Sequence, residues 1–278
     1  MNLELYSGIG NRFLLTEQAE LLPQAAELAR ALCSAGQVRG ERVDGLLVLE
    51  DRPGEIPRMT IFNGDGSRPG ACGNGLRCVG WHLARKHGRK ENWVETDSGR
   101  RLVRLLDQTG DRATLTSDMG QVELAKLSEP VPQLPGLIAT RRAWLGNPHA
   151  VLLVQDERDL DAPAIAQEFH SHPDFPEGVN VGLLAERSGA WFLRVHERGV
   201  GETEACGTGA TAAASVLAEL GRIPALGEVT LQMSGGELRV TLRPDSRADL
   251  QGEALALGPL DPRQLSSCGV PWAISSQF

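Results

Sequence analysis

Two cysteines in this sequence stand in almost the same five-residue context. Residues 71–75 read ACGNG and residues 205–209 read ACGTG, so Cys72 and Cys206 lie 134 residues apart. Each is followed by a helical pattern: Leu76, Val79, Leu83 and Ala84 after Cys72, and GATAAASVLAEL after Cys206. The first N–H groups of a helix have no backbone acceptor within it and carry a partial positive charge. That field favours a thiolate, and the same donors hold a carboxylate well. The flanking glycines let backbone approach a ligand closely. Two such thiols facing one small ligand have a natural use. One takes a proton from one face of a carbon and the other returns a proton to the opposite face, which inverts a stereocentre without turning the intermediate over. The helix ends then supply donors to the substrate carboxylate as charge develops.

The context of the cysteines is part of a wider repeat. Gly10-Asn11 corresponds to Gly146-Asn147, and FNGDG at 62–66 falls opposite ERGVG at 197–201. Landmarks in one order at nearly one offset read as an ancient duplication giving two similar halves. The plain alternative is coincidence in a chain with 32 glycines. The other cysteines read differently. Free cysteine is among the most buried residue types, and Cys33 and Cys78 fall on apolar helix faces as core residues. Cys268, near the carboxyl end, takes no role.

The elements around these landmarks form a mixed pattern. Strands are expected at 43–50, 101–106, 112–116 and 190–196, with a QTGD turn between the second and third. Residues 228–243 read as a hairpin turning at Ser234-Gly235-Gly236. Residues 17–35 carry a helical pattern, and the proline-rich stretch 130–136 is a loop. The helix after Cys206 is apolar nearly all round, so it should be buried. The fold class expected is α/β (α+β): two pseudo-symmetric halves, each a sheet around a central helix with a cysteine at its amino end.

Composition narrows the function. The 278 residues are 41% hydrophobic and 23% charged, an ordinary globular balance. A net charge of −8 disfavours nucleic acid as a partner. No apolar run approaches the roughly 20 residues of a membrane helix, and the amino terminus lacks a secretory pattern. Five cysteines, an odd number with no CxxC pair, argue against a disulfide framework and a zinc site. A cytoplasmic location, no membrane and no metal are therefore expected. None of the three lysines, Lys86, Lys90 and Lys126, lies in a motif that would hold the phosphate of pyridoxal phosphate.

At these residues the sequence resembles the diaminopimelate epimerase family. The segments that carry the resemblance are GIGNRF (8–13), IFNGDGS (61–67), ACGNGLRC (71–78), GNPH (146–149), FPEGVNVG (175–182), ERGVGETEACGTGA (197–210) and SGGEL (234–238). They keep the family's order over nearly the whole chain. The resemblance implies two halves, each a curved, mostly antiparallel sheet or barrel around a central helix, with the active site in the cleft between them. It implies a first half of residues 1–117 and 262–278 holding Cys72, and a second of 118–261 holding Cys206. No cofactor is implied, and a homodimer is. Cys72 and Cys206 would be the acid/base pair, exchanging roles with direction. Backbone N–H groups of Gly73, Asn74, Gly207 and Thr208 would hold the reacting carboxylate, with the Thr208 hydroxyl adding a hydrogen bond. Asn11, Asn63, Asn147, Asn180, Arg198 and Glu197 match residues at the distal end of the amino-acid substrate. There arginine binds a carboxylate bidentately and Glu197 accepts from an ammonium. His149 would lie close to the thiols and tune their ionisation.

Three positions depart from the family pattern. Arg12 stands where an acidic residue is common, Gly45 where glutamine is common, and Ala71 where methionine is frequent. The function expected is cofactor-independent epimerisation of L,L-diaminopimelate to the meso isomer, in lysine and peptidoglycan-precursor synthesis. The nearest alternative is a racemase of another amino acid, such as histidine, on the same scaffold. A phenazine-type isomerase on this scaffold lacks the thiol pair. A different class of reading is a thiol redox or sensor protein, in which Cys72 and Cys206 form a reversible disulfide with Cα atoms within about 7 Å.

Overall fold

The computed structural model describes residues 2–34, 42–70, 72–128 and 130–260. Two compact units divide the chain: residues up to Leu115 with the stretch from Glu253, and Thr116–Gly252. Cys268, position 71 and the return to the first half expected near residue 262 lie outside the described residues.

The first unit opens with strands β1 (Glu4–Gly8) and β2 (Asn11–Thr16). They form a hairpin because Ile9 and Gly10, the two loop residues, both adopt positive φ, 51° and 82°. A 3-10 segment (Ala19–Gln24) and helix α1 (Ala25–Ser34) lead to β3 (Gly45–Glu50), which pairs parallel to β2. The single helix expected over 17–35 is thus shorter. Pro23 has no N–H to give an α-helical bond, so the stretch before Ala25 coils more tightly. Next come β4 (Arg58–Asn63), helix α2 (Gly73–His87), β5 (Glu91–Thr96), β6 (Gly99–Thr109) and β7 (Arg112–Gln121).

β3 shows how sequence becomes packing. Every residue from Gly45 to Leu49 is buried. Leu47 and Leu49 join Val79, Leu83, Val94, Val103 and Leu115 around α2, whereas Leu46 and Val48 pack with Leu28 and Leu32 of α1. A strand covered on both faces reads as a continuous apolar run, not an alternating one. α2 runs close to the sheet. A Cβ added at Gly80 would lie 2.3 Å from Val103 Cγ1, so only glycine fits there.

The second unit repeats this plan. Its elements are β8 (Glu123–Ala125), β9 (Leu137–Trp144), β10 (Pro148–Val154), helix α3 (Ala162–His170), β11 (Asn180–Arg187), β12 (Ala190–Glu197), β13 (Gly201–Thr203), helix α4 (Gly207–Glu219), β14 (Glu228–Met233), β15 (Gly236–Leu242) and β16 (Arg247–Pro259). β9 and β10 form the hairpin that matches β1–β2, with Gly146 at φ 84° where Gly10 has 82°. α3 crosses to a parallel strand, β11, as α1 crosses to β3. α4 connects parallel strands β12 and β14 as α2 connects β4 and β5. The expected 228–243 hairpin is β14–β15, closing at Met233 and Gly236. α4 has every residue from Gly207 to Ala214 buried.

Each half is therefore a sheet around a central helix. In the first unit the strands close into a ring of eight, β1 to β7 in order and then β16, which pairs back to β1. β16 serves both units along its length: Ala248–Gln251 pairs with β15 and Leu255–Pro259 with β1. No helix among the described residues is long and apolar enough to cross a membrane.

Candidate active site

Both repeated cysteines are helix N-caps. Cys72 caps α2 in extended conformation (φ −149°, ψ 102°), and its Sγ accepts from the Gly75 N–H at 3.3 Å. Cys206 caps α4 with φ −130° and ψ 107°, and its Sγ accepts from the Gly209 N–H at 3.4 Å. A side-chain acceptor on the third helical N–H is what serine or threonine ordinarily supplies at a cap. Here sulfur takes that place twice, 134 residues apart. Gly73 and Asn74 are the first two helical residues at one end, Gly207 and Thr208 at the other, and all four are buried. The glycine three residues past each cysteine leaves room for the thiol. A Cβ would lie 3.3 Å from Cys72 Sγ at Gly75 and 3.2 Å from Cys206 Sγ at Gly209.

Around Cys206 the second unit assembles a connected polar set. Thr208 Oγ1 is 3.5 Å from the Cys206 sulfur and accepts from Asn147 Nδ2 at 3.3 Å. Asn147 Oδ1 lies 3.2 Å from His149 Nε2, and Asn180 Nδ2 lies 3.5 Å from the same nitrogen. Asn180 Oδ1 accepts the Arg198 N–H at 2.8 Å. β12 ends at Glu197, whose carboxylate accepts from Thr203 Oγ1 at 2.6 Å and hydrogen-bonds the Cys206 thiol. The Glu197 carboxylate, a residue expected to meet the substrate, lies against the Cys206 thiol. The reason is the fold, since β12 leads through the short β13 directly into the cap of α4.

Burial reverses one electrostatic expectation. The helix end was expected to favour thiolate, yet the Cys206 thiol is pushed well above its ordinary range. Desolvation is the largest cause, and the Glu197 charge adds to it; Thr208 and Gly209 oppose with hydrogen bonds that do not prevail. Burial and Glu197 together favour the protonated thiol at Cys206. His149 is 1% exposed, and burial brings its ring down to about 3, so it is neutral at ordinary pH. Asn147 and Thr208 link the neutral ring to the Cys206 sulfur.

In the first unit, Asn11 starts β2, and its Oδ1 is buried with no hydrogen-bond partner. An orphaned acceptor of this kind is uncommon and suits an ammonium or hydroxyl donor. Asn63 is committed to its turn, with Nδ2 donating to Ser67 Oγ at 3.0 Å. Arg198 is exposed, and its Nη1 donates to the Glu177 carbonyl at 2.6 Å. Among the described residues no cluster of three His, Cys, Asp or Glu side chains is placed to hold a metal ion.

The family model described as diaminopimelate epimerase matches residues 4–125 and 143–256. The chain belongs to the diaminopimelate epimerase family. It is accordingly an isomerase of the epimerase class. A diaminopimelate epimerase of Phenylobacterium zucineum is 34% identical over 270 residues, covering 89% of this chain and 92% of the relative. One from Desulfitobacterium hafniense is 33% identical, covering 91% of this chain and 95% of its own. Among solved structures, a predicted epimerase of Pseudomonas aeruginosa aligns with a TM-score of 0.73 at 17% identity, covering 94% of this chain and 98% of that one. A hydroxyproline epimerase of Agrobacterium vitis, with bound trans-4-hydroxy-L-proline, aligns at 0.67 with 18% identity, covering 93% and 90%. These two likenesses show the shared fold of paired halves.

One buried residue of the family motif ACGNGLRC had no role in the sequence reading. Arg77 is 0% exposed within α2. The available signal was its spacing: four residues past Gly73, it shares that residue's helix face, inside a run that is otherwise apolar.

Proposed function

We propose that the protein interconverts L,L- and meso-diaminopimelate by a two-thiol mechanism, a step of lysine and peptidoglycan-precursor synthesis. The observation that carries this reading is the duplicated cap: two cysteines, each at a helix amino end with its sulfur on the third N–H. The two thiols act on opposite faces of one α-carbon. Cys72 removes the proton, and Cys206, held protonated by burial and by Glu197, delivers its own to the other face. The S–H bond of Cys206 breaks as the new C–H bond forms, and Cys72 ends as the thiol. In the reverse direction the roles exchange. The first-turn donors of α2 and α4 hold the carboxylate on which charge develops, where fixed dipoles in a dry site are most effective. Asn11 Oδ1 takes a donor from the substrate, and the Arg198 guanidinium takes its distal carboxylate.

One observation favours a second reading, an amino-acid racemase with another substrate. A Cβ at Gly45 would stand 2.7 Å from the Phe62 carbonyl oxygen, so this position cannot carry the glutamine common in the family. A side chain that the family commonly places at or near the expected pocket is then missing here.

The test is proton NMR in D₂O with reduced protein, no added cofactor, and L,L-diaminopimelate. Deuterium entering one α-carbon as the meso isomer forms is the expected result, and Cys72→Ala or Cys206→Ala abolishes inversion. Full epimerisation by either variant sinks the two-thiol mechanism. Exchange with another amino acid, and none with diaminopimelate, moves the substrate and keeps the thiols.

A further inference from the structure

Arg77 is a cation in an unusual place. Helical side chains lean toward the amino end, and its guanidinium folds back onto the first turn of α2. Nη1 donates to the Gly73 carbonyl at 3.3 Å, and Nη2 to Asn74 Oδ1 at 2.6 Å. Its Nε is buried with no acceptor. Among the described residues no carboxylate pairs with it; the groups whose negative charge, if formed, would act on it are the sulfurs of Cys78 and Cys72. Burying a guanidinium without a carboxylate is costly. Placing it at the positive end of a helix adds to that cost. Burial lowers its ionisation to about 10, which leaves it charged at neutral pH.

A buried cation of this kind calls for an anion. Cys78 is 0% exposed, and burial pushes its thiol up to about 12, so it stays protonated. Cys72 is half-buried at the helix end and receives the Gly75 N–H. Leu47 of β3 and Ile61 of β4 pack beside Gly75, and Gly8 of β1 lies against Asn74 and Cys78.

We propose that Arg77 is a positioning residue that holds Cys72 as the resting thiolate from beneath the first turn of α2, and so assigns the base to Cys72 and the acid to Cys206. The proposal rests on the two-thiol reading above. Through Asn74 the same guanidinium also fixes the amide of the turn that carries the carboxylate donors.

The experiment is the pH dependence of iodoacetamide alkylation, resolved cysteine by cysteine by peptide mass spectrometry, on the full chain. Arg77→Met removes the charge at similar length, Arg77→Gln keeps a donor for Asn74, and Arg77→Lys keeps a charge. In the native protein Cys72 reacts well below the pH at which Cys78 does. In the Met and Gln variants its rate at pH 7 falls about tenfold or more, because thiolate is the reactive form, and Lys restores part of it. kcat falls more than KM rises. An unchanged Cys72 rate in whichever neutral variant folds overturns the proposal. So does dependence on Arg77 that appears at Cys78 and not at Cys72. The readout needs no substrate, so it separates from the NMR test. Loss of Cys72 reactivity without diaminopimelate turnover would keep Arg77's role and reject the substrate.

Discussion

Replacing Gly209 by alanine tests whether the glycine three residues past each cysteine exists to make room for the thiol. In an open helix, glycine to alanine stabilises by about 1 kcal/mol, because alanine gives up less backbone freedom. Here the new methyl would lie 2.9 Å from Val195 Cγ2 and 3.2 Å from Cys206 Sγ, both on buried residues. Val195 is β-branched on β12 and has little rotameric freedom to yield. Overpacking of this kind costs about 1–3 kcal/mol. The helix gain offsets part of it, so the net loss is roughly 0–2 kcal/mol, a fall in unfolding midpoint of up to about 5 °C. The functional effect is larger than the thermal one. A reacting atom misplaced by about 1 Å costs on the order of 100-fold in rate, so a shift of a few tenths of an ångström in Sγ lowers kcat about five- to tenfold. Gly75→Ala is the internal comparison. Its methyl meets the flexible end of Leu47 at 3.0 Å and Cys72 Sγ at 3.3 Å, so both effects are smaller. Circular dichroism melts and initial epimerisation rates measure the two quantities. A Gly209→Ala protein that melts higher and keeps its full kcat refutes the steric argument.

Two further outcomes follow from the electrostatics. Glu197→Gln removes a negative charge that opposes ionisation of Cys206, so alkylation of Cys206 begins at lower pH than in the native protein; no change, or a move to higher pH, contradicts the contact. His149 is held down to about 3 by burial, against an ordinary value near 6.5. Between these values the unfolded chain binds a proton that the folded one does not, so stability rises with pH through that window. His149→Gln flattens the rise in unfolding midpoint between about pH 4 and 6.5, and an unaltered slope rejects the assignment.

Much of the architecture was legible in sequence because the duplication preserved local devices. The Gly-Asn pairs mark hairpin turns in both halves, and the ACGxG segments mark both central caps. These depend on neighbours a few residues apart, which a sequence displays. The break in the first helix falls at Pro23, a local signal that the expectation of one helix over 17–35 did not use. What remained hidden depends on distant packing. The contact of Glu197 with Cys206 needs β12 and α4 side by side, and the sign of the thiol shift needs the degree of burial. The burial of Arg77 likewise depends on a ring of strands assembled from both ends of the chain.

That ring has a consequence for synthesis. The second unit is one unbroken stretch, Thr116–Gly252, whereas the first needs residues from Glu253 onward to finish. β1 and β7 each keep a bare edge until β16 arrives to join them. Unpaired edges invite association with other chains, and domains fold as their residues emerge from the ribosome. The half that begins the protein is therefore the last to close. Cys72 waits in an unfinished barrel while Cys206 is already housed.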